Sequence, residues 1–190
     1  MPRLILASES PRRVDLLAQI GIVPGLIEAA GVDESPRSGE TPSRLARRLA
    51  EAKARLVAER FPDDLVLGAD TVVACGRRVL GKSDEEDAAR RCLGLLSGRR
   101  HRVHGGVSVV FGGDVRTRLV TTAVRFKRLS ADELDAYIRC GEWRDKAGAY
   151  AIQGRAGAFV IDVFGSYSNV VGLPLYETAA LLRGMGLGPD

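Results

Sequence analysis

Two long runs of β-forming residues in the middle of the chain constrain its fold more than any other feature. Residues 101–111 and 115–126 flank the turn Gly112-Gly113-Asp114, which is typical of an antiparallel hairpin. Elsewhere, short apolar runs such as 4–7 and 65–75 alternate with amphipathic helical stretches. A hairpin within such an alternation excludes a purely parallel sheet. The sequence therefore predicts an α/β fold built on a mixed sheet.

The predicted helices begin at capping signals, in which a small polar residue precedes a proline or a glutamate at a fixed spacing. These signals are Ser10-Pro11, Thr41-Pro42, Ser83 with Glu86, and Ser130 with Glu133. Pro174 is predicted to open a last helix, and residues 158–163 are predicted to form a further strand. Neither a repeat nor a linker divides the sequence. We therefore expect a single domain, residues 1–190, with two closely joined lobes around a cleft.

Composition argues against several classes of protein. The longest apolar runs, such as 158–163, are far too short to span a bilayer. The first residues have no apolar stretch of signal-peptide length. Cys75, Cys92 and Cys140 are odd in number and widely spaced, so we expect buried free thiols. These features predict a cytoplasmic protein without a membrane partner.

The charge pattern gives no sign of a nucleic-acid partner. The net charge is +4, and no run of like charges occurs. A mild positive excess suits a small anionic substrate as well as a surface without function. Lysine occurs at Lys53, Lys82, Lys127 and Lys146 alone, which leaves 24 arginines among the 28 basic residues. In so arginine-rich a chain, a retained lysine favours a position that needs a compact point charge.

The first candidate site lies between the predicted strand 4–7 and the helix that follows it. Ser8 and Ser10 can donate hydrogen bonds to phosphate oxygens, and the N–H groups and dipole of a helix start attract an anion. Arg12 and Arg13 lie in the first helical turn, where cations are disfavoured unless an anion is bound. An ordinary capped helix with solvated arginines explains the same residues equally well.

Asp70 interrupts the apolar run 65–75. A carboxylate in a buried strand is costly unless it is paired, hydrogen-bonded or bound to a metal, so a functional role is favoured. Two roles stay open, an oxygen ligand to Mg²⁺ beside phosphates and a general base toward water. Gly81-Lys82-Ser83 is a weaker signal, because it suits a phosphate at a helix start but lacks the glycine spacing of a P-loop.

Two later segments, 141–154 and 165–175, are dense in glycine and polar residues and are candidate functional loops. Gln153 has both a donor and an acceptor, which suits the reading of a base edge. A solvated loop over a buried Tyr150 is an equal alternative. Both histidines lie on a predicted strand, and neither a Gly-x-Ser-x-Gly elbow nor a zinc-ligand spacing occurs. The expected catalytic groups are therefore carboxylates, lysines, arginines and a divalent cation.

Taken together and in this order, five segments resemble the Maf family of nucleoside triphosphate pyrophosphatases. The segments are Leu-Ala-Ser-Glu-Ser-Pro-Arg-Arg at 6–13, Ala-Asp-Thr-Val-Val at 69–73, Gly-Lys-Ser at 81–83, Asp-Lys-Ala-Gly-Ala-Tyr-Ala-Ile-Gln-Gly at 145–154 and Gly-Ser-Tyr-Ser-Asn-Val-Val-Gly-Leu-Pro at 165–174. Each is modest alone, but five in register span nearly the whole chain. One departure is Ser83, where the family commonly has proline. Because Ser83 can cap the helix, we expect little functional change.

The resemblance implies a two-lobed mixed α/β fold of the Maf/ITPase-like kind, with a deep central cleft and often a homodimer. It also implies hydrolysis of a nucleoside triphosphate to the monophosphate and pyrophosphate with a divalent metal cation, Mg²⁺ or Mn²⁺. Arg12, Thr71 and Gln153 match the branch that acts on dTTP and UTP. A sister branch that acts on 7-methyl-GTP typically has tryptophan, glutamine and glutamate at these places.

The resemblance also assigns expected roles around the triphosphate. The residues expected to hold the triphosphate are Ser8, Ser10, Arg12, Arg13, Lys53 and Lys82. Asp70 is the expected base for the water that attacks the α-phosphorus, and Lys53 and Lys82 are the expected catalytic cations.

The remaining roles concern the base and the metal. Thr71 and Gln153 are expected to select the pyrimidine, and Glu34 joins Asp70 as a candidate metal ligand, with Asp33 as its alternative. A second interpretation stays open, in which the chain is a nucleotide-sensing regulatory protein of cell division without significant turnover. Tight nucleotide binding without hydrolysis would favour it.

Overall fold

One mixed sheet of seven strands organises the part of the chain that the computed structural model describes, residues 2–82 and 84–187. The strands are β1 (Leu4–Ala7), β2 (Leu26–Ile27), β3 (Leu65–Cys75), β4 (Arg78–Leu80), β5 (Arg100–Phe111), β6 (Asp114–Phe126) and β7 (Val160–Phe164). Their order is β2-β1-β3-β5-β6-β7, and β4 pairs with β3. β1 is parallel to β2 and to β3, and every other pairing is antiparallel. The prediction of a mixed sheet is confirmed.

Six α-helices and two 3-10 turns accompany the sheet within the same residues. They are α1 (Pro11–Gln19), α2 (Pro42–Ala58), α3 (Glu86–Leu96), α4 (Ala131–Cys140), α5 (Tyr167–Val171) and α6 (Leu175–Gly184), with 3-10 turns at Ala147–Ala149 and Arg155–Phe159. Thr41 caps α2 by accepting a hydrogen bond from the Arg44 N–H at 3.3 Å. Ser130 and Glu133 form the predicted capping box of α4.

Two local predictions need correction, and a third falls on a residue that the structure does not describe. Ser83, the predicted cap of α3, lies outside the described residues, and the helix begins at Glu86. The strand predicted at 158–163 is β7, which begins two residues later, at Val160, because Arg155–Phe159 forms a 3-10 turn. The loop segment 165–175 contains α5, whose cap residue Ser166 accepts a hydrogen bond from the Asn169 N–H. Short helices of this kind carry too few residues to show a period in sequence.

The β5–β6 hairpin forms as predicted, with a two-residue turn. Gly112 and Gly113 both have positive φ, 55° and 87°, as a type I′ turn requires. This turn lets Phe111 pair directly with Asp114. The predicted turn residue Asp114 is therefore the first residue of β6.

β3 changes its neighbour halfway along one edge. Its first half pairs with β1, the last pair being Ala7 with Gly68, and its second half pairs with β4, beginning at Val73 with Leu80. Residues 69–72 of β3 pair with β5 on the other edge, but neither β1 nor β4 covers them. The sheet therefore has a notch here, bounded by the end of β1 and the end of β4. Clefts at such points are where α/β proteins bind ligands.

On one face of the sheet, the apolar core divides at the same point along β3. Leu65, Leu67 and Ala69 face a cluster formed with α1 and α6, whereas Val73 faces a second cluster that contains residues of α3 and α4. Thr71, on the same face of β3, lies between the two clusters. Residues of the opposite face pack on α2.

Two further observations concern membranes and thiols. Within the described residues, no helix is long and apolar enough to cross a membrane. Cys75, Cys92 and Cys140 are free, as expected, but each is only partly buried at the edge of a core cluster, so the prediction that they are buried is wrong.

Candidate active site

The notch in the sheet opens into a cleft with two connected compartments. The β4 compartment, about 370 Å³, is walled by residues of β3 and β4 together with Tyr150 and Gln153. The β1 compartment, about 350 Å³, is walled by the segment that follows β1. Six residues line both: Ser10, Arg12, Arg13, Glu34, Lys53 and Lys82. Ser8 lines the β1 compartment, and Asp70, Thr71 and Gln153 line the β4 compartment. All ten predicted site residues therefore meet in one cleft.

Asp70, Lys53 and Glu34 form a row of alternating charge on the α2 side of the sheet. The Lys53 ammonium donates to Asp70 Oδ1 at 2.7 Å and lies 2.5 Å from Glu34 Oε1. The side chains of Lys53 and Asp70 are 10% and 9% exposed, whereas that of Glu34 is 51% exposed. Partial burial raises the pKa of Glu34, but the hydrogen bond from Lys53 and the nearby positive charges outweigh it and lower the pKa overall.

Two glycines explain why Lys53 reaches Asp70. A Cβ on Gly68 would lie 2.5 Å from the Ala50 carbonyl oxygen, and one on Gly106 would lie 2.2 Å from the Ala46 carbonyl oxygen. Gly106 is also the cross-strand partner of Asp70. The missing side chains let α2 approach the sheet backbone, and this approach brings Lys53 against Asp70.

Arg13 organises the other face of the notch. Its guanidinium donates to Ser8 Oγ at 2.7 Å, to the Gly172 carbonyl at 2.9 Å and to Thr71 Oγ1 at 3.5 Å. The Thr71 hydroxyl also contacts the Gly172 carbonyl, at 3.4 Å. Burial lowers the pKa of Arg13, and the charge of Asp70 opposes this effect. An arginine keeps its proton at neutral pH. The hydrogen bonds of the charged Arg13 side chain therefore connect the end of β1, β3 and the end of α5.

The start of α1 is open toward the cleft. Ser10 occupies the cap position, but its side chain makes no capping hydrogen bond; its N–H donates to Ser8 Oγ at 3.2 Å. Arg12 makes neither a hydrogen bond nor an ion pair with any residue in 2–82 and 84–187. Burial lowers the pKa of Arg12, and Asp145 opposes this shift. An unpaired cation, a free hydroxyl and a helix N-terminus together favour the anion-site interpretation over the ordinary capped helix.

Lys82 and Gln153 lie at the mouth of the cleft with free polar groups. Both side chains are exposed, and neither contacts a hydrogen-bond partner among the described residues. Behind them, the β4 compartment has apolar walls, which include Leu45, Leu49 and Val72. The cleft thus offers an apolar wall with an amide at its rim on one side and a group of cations on the other.

Both histidines lie away from the walls of the two compartments. His101 is 1% exposed, and its Nε2 lies 2.9 Å from the Tyr150 hydroxyl. Burial lowers the pKa of His101 to about 4, so the ring is neutral at physiological pH. His104 contacts Thr121 Oγ1 at 2.9 Å. Their contacts identify both as structural residues.

Some groups of the cleft were missed by sequence reasoning. The Gly172 carbonyl carries no side-chain signal, although it lies in the segment 165–174 on which the family resemblance rests. Asp145 and Lys146 line the cleft as well; their signal was the motif 145–154 and, for Lys146, the scarcity of lysine. Asn169, in the segment 165–174, is fully buried and donates to the Val103 carbonyl and to Thr122 Oγ1, so it ties α5 to the sheet.

Comparison with known sequences gives one consistent family. The family model for Maf-like protein matches residues 3–185. The chain is 60% identical over 190 residues to a dTTP/UTP pyrophosphatase of Paramagnetospirillum magneticum, with 100% of both chains covered. It is 56% identical over 189 residues to a dTTP/UTP pyrophosphatase of Caulobacter vibrioides, with 99% of this chain and 98% of the relative covered.

Comparison with solved structures concerns the fold alone, because the identities are low. The Staphylococcus aureus Ham1 protein superposes with a TM-score of 0.53 at 15% identity, covering 96% of this chain and 98% of that one. A HAM1 protein from Coxiella burnetii gives a TM-score of 0.51 at 13% identity, covering 97% of this chain and 100% of that one. The mixed α/β fold is therefore shared with these proteins.

Proposed function

The chain belongs to the Maf-like protein family, and we propose that it hydrolyses dTTP and UTP to the monophosphate and pyrophosphate. One observation carries the proposal: ten residues expected for such an activity, spread from Ser8 to Gln153, line one cleft. The names of relatives 56–60% identical over the full chain support the same activity. The enzyme would thus be a nucleoside triphosphate diphosphatase.

The triphosphate is proposed to lie across the two compartments. Its β- and γ-phosphates would enter the β1 compartment, where Ser8, Ser10 and the N–H groups of α1 can donate hydrogen bonds. Arg12, Arg13 and Lys82 line the passage between the compartments and can balance the charge of the phosphates.

The pyrimidine base is proposed to occupy the β4 compartment. Its apolar walls suit a flat ring, and Gln153 at the rim can pair with a base edge through both its donor and its acceptor. The Thr71 hydroxyl is already engaged by Arg13 and the Gly172 carbonyl. Thr71 would therefore contribute to selectivity by fixing the shape of the compartment.

Glu34 and Asp70 fit a divalent cation shared between protein and substrate. Both carboxylates contact the Lys53 ammonium, so they converge on one point of the cleft. Among residues 2–82 and 84–187, no cluster of three or more acidic, histidine or cysteine side chains suits a metal. Mg²⁺ often binds through one or two carboxylates plus substrate phosphates and water. When bound, Mg²⁺ or Mn²⁺ would neutralise charge at the phosphates.

The proposed reaction forms one phosphorus–oxygen bond and breaks another. The oxygen of a water molecule attacks the α-phosphorus, the bond from that phosphorus to the α–β bridging oxygen breaks, and pyrophosphate leaves with the bonding electrons. Asp70 accepts the proton of the water. Its Oδ1 is held by Lys53, while Oδ2 makes no hydrogen bond with a described residue and is available as the base. Arg12 and Lys82 stabilise the charge on the leaving pyrophosphate.

A nucleotide panel with product identification tests the proposal. Purified protein with Mg²⁺ or Mn²⁺ should release pyrophosphate from dTTP and UTP faster than from purine nucleotides. Release of inorganic phosphate in place of pyrophosphate, or no turnover with any nucleotide, would contradict the proposal. Tight binding without turnover would favour the alternative, a nucleotide-sensing regulatory protein.

We also propose a homodimer, as the family resemblance implies, that is cytoplasmic and has no nucleic-acid partner, as composition and charge predict. Residues 114–122 of β6 pair with β5 but with no second strand among those described. Such an edge can accept a strand from another chain, which supports a dimer. Light scattering on the purified protein should give twice the chain mass of 20.4 kDa, and a monomer at micromolar concentration would contradict this assembly.

A further inference from the structure

The four lysines fall into two groups according to their partners. Lys53 contacts Glu34 and Asp70, and Lys127 contacts Glu133. Lys82 and Lys146, by contrast, have no carboxylate within 4 Å among residues 2–82 and 84–187. Both line the β4 compartment together with the equally unpaired Arg12. Three cations that form no ion pair with a described residue therefore line one compartment.

Lys146 is held there by a strained segment. The residues on either side of the 146–148 stretch, Asp145 and Ala149, have φ values of 54° and 60°, which non-glycine residues rarely adopt. A Cβ on Gly148 would lie 2.8 Å from Val73 Cγ1, so the segment packs directly on β3 just beyond Thr71. Strained backbone of this kind costs free energy and clusters at functional sites.

The position of Lys146 is electrostatically unfavourable without an anion. Burial lowers the pKa of Lys146, and the charges of Arg12 and Lys82 lower it further, while Asp145 and Glu142 act in the opposite direction. Its ammonium donates one hydrogen bond, to the Arg144 carbonyl at 2.9 Å, and an ammonium has three protons to donate. Like charges that converge in a cleft repel one another until a counter-charge is bound.

We infer that Lys146 is a substrate-binding residue that contacts the α-phosphate of the nucleotide. The choice of phosphate follows from the two compartments. Lys146 lines the β4 compartment, with Gln153, and is not part of the β1 compartment, whereas Ser8 shows the reverse. With the base in the β4 compartment, the α-phosphate is the phosphate attached to the nucleoside and therefore the one nearest Lys146. The inference rests on the proposed function for the orientation of the nucleotide.

Separate binding of the two products tests the inference. Calorimetric titration with UMP, which carries the α-phosphate, and with pyrophosphate, which carries the other two, is performed on wild type and Lys146→Met with Mg²⁺ present. Lys146→Met should weaken UMP binding about 10- to 100-fold, as expected for loss of a charged hydrogen bond, and should leave pyrophosphate binding unchanged. Lys127→Met, a lysine outside the cleft, is the matched control and should bind both products as wild type does.

The charge itself is tested with Lys146→Arg, which should retain most of the UMP affinity. Equal weakening in Lys146→Arg and Lys146→Met would point to altered loop packing and would overturn the inference. Unchanged UMP affinity in Lys146→Met, or weaker binding of pyrophosphate alone, would also overturn it. A wild-type protein that neither binds UMP nor releases pyrophosphate from dTTP or UTP would overturn the proposed function, and the inference with it. Normal wild-type activity with an unaffected Lys146→Met variant would overturn the inference alone.

Discussion

Lys53 lies between two carboxylates in a place where stability alone gives little reason for it. Burying an ion pair costs desolvation energy that the attraction of the charges barely offsets, and an apolar replacement is often as stable. Here the pair with Asp70 is buried, and the half-exposed Glu34 adds a second negative charge on the cleft side. The arrangement is better explained by function, because Lys53 holds both carboxylates at the edge of the cleft.

Asp70→Asn should remove most of the pyrophosphatase activity while the protein stays folded. The amide keeps the shape of the side chain and can still accept from Lys53, but it cannot take a proton from water. Loss of a general base typically lowers kcat by about 10²- to 10⁴-fold, and the nucleotide affinity should change much less. Pyrophosphate release and thermal unfolding measure the two effects. Asp114→Asn, at the exposed start of β6, serves as the control; full activity of Asp70→Asn would reject Asp70 as the base.

At the scale of elements, the contact between α2 and the sheet determines the geometry of the site. Gly68 and Gly106 leave no room for a side chain between the sheet and the helix backbone. Thr41 caps the start of α2, and Lys53 lies three turns further along the helix. A small shift of α2 would therefore move the Lys53 ammonium away from Asp70.

Gly106→Ala and Gly94→Ala should have opposite effects on stability, although the chemical change is the same. A Cβ at 106 would lie 2.2 Å from the Ala46 carbonyl oxygen, and overpacking of this kind costs about 1–3 kcal/mol. Gly94 is exposed within α3, and a Cβ built on it would have no atom within 4 Å outside its own helix turn, so alanine there should stabilise by about 0.5–1 kcal/mol. Chemical denaturation measures both variants. Activity should also fall in Gly106→Ala, because Lys53 is displaced. Equal stability of Gly106→Ala and wild type would show that α2 adjusts freely.

The elements were largely predictable from sequence, and their partners were not. The bounds of β1 and β3 match the apolar runs 4–7 and 65–75, because buried strands need continuous apolar residues. The notch arises because β3 pairs with β1 along one half and with β4 along the other. That choice depends on contacts between distant segments and leaves no local pattern.

The same limit applies to the site. Asp70 was identifiable as a charge within an apolar strand, and Arg12 and Arg13 as cations at a helix start. The contact of Arg13 with Gly172 joins residues 159 positions apart, and no spacing rule predicts it. The family resemblance assigned roles to single residues, whereas the division of the cleft into two compartments depends on the fold.

At the scale of the whole molecule, the cleft lies between two packed units of the apolar core, which are clusters on the same face of β3. The cluster with α1 and α6 contacts β3 up to Ala69, and the cluster with α3 and α4 contacts it again from Val73. His101 and Tyr150 belong to this second unit, where their rings pack edge to face with Phe126. Tyr150 also lines the cleft, so the packing of this unit supports one wall of the site.

His101 should make the folded protein sensitive to acid between about pH 6.5 and 4. Burial lowers its pKa from 6.5 to about 4 in the folded state. Within this window the unfolded chain binds a proton that the folded chain does not, so the free energy of unfolding falls as the pH falls. A shift of this size corresponds to roughly 3 kcal/mol, lost in full below pH 4.

Urea unfolding of wild type and His101→Gln at several pH values between 7 and 4 tests this expectation. Glutamine can replace the hydrogen bond to the Tyr150 hydroxyl but does not titrate. The variant can be less stable at pH 7, because a buried ring is lost; the pH dependence is the informative quantity. The unfolding free energy of wild type minus that of His101→Gln should fall by about 3 kcal/mol between pH 7 and pH 4. His104, whose pKa burial also lowers, is present in both proteins and cancels in this difference. Parallel curves would show that His101 is protonated in the folded protein at little cost, and that the packing around Tyr150 tolerates a charge.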